Sequence, residues 1–392
     1  MSSSDQVQIS YLKQSAKGTI PLSPFTELVH NGGTFGAPIS VERSGSIRGD
    51  AQRGQAVRTG VDPEGSVNLD FRAKVFDDLL EGFMRSSWST AAAMSNTDIQ
   101  ADNAGSAFTT ISGDFTTENI TLGQWVYVNG FANADVNGWY KVTSIAAGTL
   151  GVNPAPPADT NTAANTITIE GSYIRNGTDE PYFAFQANYK DLTDKWRLIS
   201  DCKINQMELT LAMRSILTGS FNFMGINNEL KTAGSGDGTV TSAPSTDILN
   251  ASDHVTGVFI NGTKYDGCVS NFNMSADMGA GRRNGIGQVE SCDIKLHSLA
   301  ANGSMSVYLT DANWTDILQK YTDFTKISIA FGLKDADGNG FVIEFPQVAL
   351  SNEPGNIPGP GEDVMLEFDF EAEPGDIGDG TLKTMQISRR IA

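Results

Sequence analysis

The feature that most constrains this chain is a strand, turn and helix pattern that occurs twice, at a spacing that shifts once. Gly65-Ser66-Val67-Asn68-Leu69-Asp70-Phe71 aligns with Gly303-Ser304-Met305-Ser306-Val307-Tyr308-Leu309, 238 residues further on. At the same spacing Phe76-Asp77-Asp78-Leu79-Leu80 falls on Trp314-Thr315-Asp316-Ile317-Leu318, and Phe83 on Tyr321. Past that point Tyr189-Lys190-Asp191 matches Leu333-Lys334-Asp335 at a spacing of 144, so the first copy holds 94 additional residues. Internal similarity at a long period points to a duplicated unit, and one change of spacing is what a single insertion leaves behind.

Within each copy the period of the apolar residues changes from strand to helix. Val67-Asn68-Leu69-Asp70-Phe71 alternates as a half-buried strand does. Phe76, Leu79 and Leu80 then recur on one helix face, matched by Trp314, Ile317 and Leu318, and all six are expected to pack the helix onto a sheet. A hairpin follows in each copy, and both copies end in an alternating strand, Phe221-Asn222-Phe223 and Phe368-Asp369-Phe370. The expected organisation is mainly β: a discontinuous first copy over 1–94 and 173–230, an inserted small β domain over 95–172, and a linker over 231–253. A second copy over 254–376 and a C-terminal extension over 377–392 complete it. The insertion, with Gln124-Trp125-Val126-Tyr127-Val128 and Trp139-Tyr140-Lys141-Val142 as strands, reads as a domain displayed on a loop.

The balance of 46 acidic against 27 basic residues, a net charge of −19, argues against gripping a phosphate backbone. It suits solubility, or a surface that DNA passes without sticking. Three scattered cysteines, Cys202, Cys268 and Cys292, build no disulfide framework and suggest a reducing compartment of synthesis. The first residues lack the features of a signal peptide, and no apolar run approaches the ~20 residues of a membrane span.

Little in the sequence supports catalysis or a cofactor. His30, His254 and His297 stand far apart and outside any GxSxG or HExxH context. Asp335-Ala336-Asp337-Gly338-Asn339-Gly340 opens like a calcium loop, but position twelve is Pro346 and Asn-Gly suits a hairpin turn, so a turn rather than a metal site is expected. Two glycine-rich basic loops occupy matching places, with Arg48 and Arg53 in one and Arg282 and Arg283 in the other. They are candidates for contacts between subunits, since Arg is favoured at interfaces; solvated loops are the alternative.

Taken together, Ser46-Ile47-Arg48 with its loop, Pro63-Glu64-Gly65-Ser66-Val67, the Phe76 to Leu80 helix, and Phe345-Pro346-Gln347-Val348 through Gly361-Glu362-Asp363-Val364-Met365-Leu366-Glu367-Phe368-Asp369-Phe370-Glu371-Ala372 resemble the major tail tube proteins of long, non-contractile-tailed, siphovirus-like bacteriophages. The resemblance covers most of the chain apart from the insertion, and each motif alone has low specificity. It implies a β-sandwich or β-barrel tail-tube fold with one flanking helix per copy, no enzymatic activity, and a structural place in the virion after synthesis in the host cytoplasm. It also implies rings stacked on a tape-measure protein, around a channel that conducts DNA without sequence-specific binding. Tail terminator and distal tail proteins are the further implied partners. Fused copies imply a homotrimeric ring with pseudo-sixfold symmetry, and the insertion is expected to decorate the outside. Two other readings stay open: a tail-tip or distal-tail ring protein, and a carbohydrate-binding surface adhesin using Trp125 and Trp139 as stacking platforms, against burial of both in a core.

Overall fold

The alternating segments form strands that lie in two layers per copy. The structure is a computed structural model that describes residues 3–47, 49–311, 314–352, 355 and 357–391. In copy one the principal elements are β1 (Val7–Lys13), β2 (Gly32–Gly36), β3 (Glu64–Asp70), helix α1 (Asp77–Met84), β4 (Phe183–Tyr189), β5 (Trp196–Ala212), β6 (Thr218–Met224) and β7 (Asn227–Lys231). Copy two has β8 (Val255–Ile260), β9 (Val269–Asp277), β10 (Ala300–Tyr308), a helical stretch from Trp314 that ends in α2 (Gln319–Thr322), β11 (Ile327–Lys334), β12 (Gly340–Ser351) and β13 (Met365–Glu373). Strand β14 (Gln386–Arg390) comes last.

The pairing registers repeat residue by residue. Val67 stands opposite Phe221 on β3 and β6, and their equivalents Met305 and Phe368 stand opposite each other on β10 and β13. Two glycines explain why the Gly-Ser strands match. A Cβ on Gly65 would lie 2.4 Å from the Phe223 ring and 2.5 Å from the Thr34 carbonyl; one on Gly303 would lie 2.2 Å from the Phe370 ring and 2.4 Å from the Asn273 carbonyl. In both copies the phenylalanine ring lies across the glycine, a close approach that only a missing side chain permits.

The long strands β5 and β12 each serve both layers. The first half of β5 pairs with β4 and β7 in the outer layer, and its second half with β6 in the inner layer. The bend falls at Asp201, held at φ 54° with its carboxylate accepting from Gln14 Nε2, Gly18 N and Asn227 Nδ2. Asp is among the residues that adopt this left-handed conformation most readily, and these bonds to segments remote in sequence hold it there. In β12 the corresponding step, from pairing with β14 to pairing with β13, falls at Pro346, where a missing N–H costs no ladder bond. Between the layers lie alternate residues such as Val67, Leu69, Phe221, Phe223, Met305, Val307, Phe368 and Phe370. Phe76, Leu79 and Leu80 are buried in the same core, as is Ile317, while Leu318 packs against it in part. Trp314 departs from the expected core face: it is 59% exposed, and none of the described residues buries it.

The insertion, expected as a small β domain displayed on a loop, packs against copy two. It has its own core around Phe108, Phe115, Val126, Val128, Tyr140, Ile167 and Ile169. Its strand Ile167–Arg175 also pairs with β14, which in turn pairs with β12, so the insertion extends the outer layer of copy two. Trp125 and Trp139 are 1% and 3% exposed and pack against Phe259, Ala330 and Val342 of copy two. Burial removes both as stacking platforms. Beneath them the buried carboxylate of Glu344 accepts from Trp125 Nε1 (2.9 Å), Lys141 Nζ (2.5 Å) and Gln386 Nε2 (3.1 Å), so every lone charge there has a partner. The segment between the copies is stitched in as well, with Leu249 N donating to Phe71 O and Leu217 N to Leu249 O.

A second ionic cluster ties the copies together at the base of the Arg282 hairpin. Glu180 accepts from Lys203 (2.6 Å), whose side chain is fully buried, from Lys295 (2.6 Å) and from Arg85 (3.1 Å). Burial alone would raise the Glu180 carboxyl, but hydrogen bonds and charge from Lys203 and Lys295 outweigh it and bring it down to about 2. A carboxylate with a depressed folded pKa contributes stability above its unfolded pKa and loses it as pH falls through the folded value. Glu180→Gln is therefore expected to lower the urea midpoint at pH 7, with the gap to the parent protein narrowing from pH 4.5 towards 2; a gap independent of pH would refute the assignment. Gly65→Ala and Gly303→Ala are each expected to cost about 1–3 kcal/mol by overpacking, read from the same denaturation curves. Trp125→Ala is expected to cost about 3–5 kcal/mol by opening the seam between insertion and copy two.

Candidate channel-lining and assembly surface

The inner layers of the two copies are one sheet. Its order is β2–β3–β6–β5–β9–β10–β13–β12, antiparallel throughout, and the junction between copies is the pairing of β5 with β9. Along that junction Gln206 stands opposite Asp277, Glu208 opposite Ser275, Thr210 opposite Asn273 and Ala212 opposite Asn271. The edge of copy one is thereby satisfied by β9, the first strand that copy two contributes to this sheet.

Alternation sends the polar residue of each pair to the face away from the core. One row across the sheet runs Asn68, Ser220, Glu208, Ser275, Asn302, Glu371 and Ala349. The next runs Asp70, Thr218, Thr210, Asn273, Ser304, Asp369 and Ser351. Glu367, opposite Ser306, and Asp277 complete the acidic set. No Lys or Arg occupies these rows, and none of Asp70, Glu208, Asp277, Glu367, Asp369 and Glu371 makes an ion pair among the described residues. Neutral groups hold several of them instead: Asn31 Nδ2 donates to Asp70 (2.6 Å), Gln206 Nε2 to Glu208 (2.9 Å) and Asn352 Nδ2 to Asp369 (2.7 Å). A groove of about 530 Å³ runs over this face, lined by Glu208, Thr210, Asn273, Asn302, Asp369 and Glu371 among others. Such a face carries uncompensated negative charge on short, hydrogen-bonded side chains, which repels phosphate.

The basic loops form two hairpin arms. Residues Ile39–Arg43 pair with Ala56–Val61, and Gly281–Arg283 with Asp293–Lys295. The arms lie side by side, with Val61 N donating to Val289 O (3.0 Å). Arg282 is tucked in: its guanidinium donates to Gly225 O and Pro63 O of copy one and faces Asp62, so within the chain it already joins one copy to the other. Arg53 and Arg283 are exposed, and Arg48 lies outside the described residues. The Asp335 segment is a turn: Asp335 is buried and accepts from Asn339 N (2.7 Å) and Asn339 Nδ2 (2.9 Å), with Gly338 at φ 91°. Among the described residues no group of three or more His, Cys, Asp or Glu is placed to hold a metal, and no helix is long and apolar enough to cross a membrane.

No curated protein matches the chain in sequence. A family model does, described as phage tail tube protein and matching residues 4–372. That span takes in both copies, the insertion and the whole acidic sheet. The chain belongs to the phage tail tube protein family.

Proposed function

We propose that three copies of this chain close head to tail into a ring of six sandwich copies, that rings stack into a siphovirus-type tail tube around a tape-measure protein, and that the acidic face lines the bore through which DNA leaves. The carrying observation is the β5–β9 junction, which supplies inside one chain a template for the junction between chains. A row that starts at Thr34 passes Ser66, Asn222 and Gln206 and enters copy two at Asp277, whose equivalent in copy one is Pro38; the register thus climbs by about four residues per copy. Repeating that step sets Ser351 opposite Pro38 of the next chain. Closure after six copies gives a barrel of about 24 strands tilted by roughly 35° and about 45 Å across the backbone, from ordinary strand spacings. Short polar side chains on its inner face leave room for a double helix.

Charge supports the same reading. A basic lining would hold the phosphates with an affinity set by salt, whereas an acidic one lets them slide. The exposed arginines of the hairpin arms are offered to neighbouring subunits in the manner that Arg282 already uses inside the chain. Tail terminator and distal tail proteins are then the partners at the two ends of the tube, and the virion tail is where the protein acts. The bore and the arms are structural elements, and the reading gives none of their residues a catalytic role.

Three experiments test it. Negative-stain electron microscopy of concentrated protein, with rotational averaging, is expected to show hollow rings of three chains that stack; solid particles or another chain count would overturn the ring. In assembled tubes, Glu208→Lys with Asp369→Lys and Glu371→Lys is expected to leave the tube intact and to make it retain duplex DNA at low salt, with release as salt rises. Parent tubes are expected to retain none. Arg53→Ala with Arg283→Ala is expected to shorten tubes relative to the parent protein, and tubes of equal length would remove the arms from assembly.

A further inference from the structure

The two copies differ in what covers their helices, and the difference locates a second contact between chains. In copy one, the outer layer of copy two overhangs α1. Phe341 of β12 meets Phe71 edge to face at 5.7 Å. Arg389 of β14 pairs with Asp77 and lies 4.0 Å over the Trp88 ring, and Ile387, two residues back on the same face, is 1% exposed. Under this cover Phe76 is fully buried. In copy two the equivalent of Phe76 is Trp314, 59% exposed, and Phe324 at the end of that helix is 68% exposed.

The overhanging strand also has an equivalent. β7 pairs with the first half of β5 as β14 pairs with the first half of β12, and Leu230 opposite Arg197 stands where Ile387 stands opposite Ile343. Leu230 is 82% exposed. Both sides of a contact that is buried between the copies are therefore left open at the two outer ends of the same chain. Each is apolar, and together they match the internal interface in position and register. Scattered exposed apolar residues need no explanation, but exposed residues whose internal equivalents, Phe76 and Ile387, are both buried in the core shared by the two copies do.

We infer that the Trp314–Phe324 helix of one chain docks under β7 of the next chain, with Leu230 over Trp314, as β12 and β14 of copy two overhang the helix of copy one through Phe341 and Arg389. This rests on the ring proposed above and adds to it: beside the backbone seam lies an apolar seam, and its occupant is a second copy of this chain. The contact is heterologous, so each chain offers one helix and one covering strand.

The test uses the full chain. Leu230→Asp and Trp314→Asp sit at exposed positions and are expected to keep the parent's circular dichroism and melting temperature. Each is expected to raise the concentration at which rings appear in sedimentation velocity by at least about tenfold, equivalent to 1.4 kcal/mol. Leu230→Ser, a smaller change, is expected to shift it in the same direction. An equimolar mixture of the two Asp variants is expected to give dimers and no rings, since only one intact helix face and one intact covering face remain to meet. If the parent protein forms rings and the variants form them at the same concentration, the docking is wrong and the ring stands. If the parent forms no rings at any concentration, the ring and the docking fall together.

Discussion

Everything in this molecule depends on one run of backbone hydrogen bonds, the antiparallel pairing of Gln206–Ala212 with Asp277–Asn271. Each such bond contributes only about 1 kcal/mol net, but the run fixes register, and register fixes which face every residue of eight strands presents. Were β9 slipped by one residue against β5, Asp277 would point into the core and Phe272 and Met274 out of it. The two glycines beneath phenylalanine rings, the bends at Asp201 and Pro346, and the Glu180 cluster all act to hold the strands that make this pairing. The position of the acidic face follows from it.

Much of the fold was legible in the sequence, for reasons that particular residues make plain. The duplication showed because Gly65 and Gly303 serve the same ring contact, and because the apolar alternation of β3 and β6 recurs in β10 and β13. The helix face showed through Phe76, Leu79 and Leu80, but the same periodicity misassigned Trp314, since spacing reports that a residue faces something and not whether that something lies in the same chain. The acidic face was half visible: Glu367, Asp369 and Glu371 alternate with phenylalanines in one strand, yet Glu208 and Asp70 join them only through pairings between strands far apart in sequence. The junction itself was invisible, because backbone pairing leaves no side-chain signature.

The insertion was misjudged for a similar reason. Its Ala-, Thr- and Pro-rich flanks look like tethers, and nothing local to Trp125 announces that its indole reaches Glu344, 219 residues away. Strand β14 completes the link, lying between the insertion and β12 with Gln386, Ile387 and Ser388 all buried. The insertion is thus part of the outer layer of copy two and shares its stability, so changes on its exposed far side are the ones the fold tolerates.

Duplication has a further consequence for the acidic face. The apolar positions of the two copies match closely, but the charged ones do not: Asp369 and Glu367 of copy two stand where copy one has Asn222 and Ser220, and Glu371 stands where it has Met224. The inner faces of the two copies therefore differ in charge while their cores are alike. The ring proposed above would then be nearly sixfold in form and only threefold in charge, and a polyanion moving along it would meet three inclined acidic stripes separated by neutral amide and hydroxyl ground.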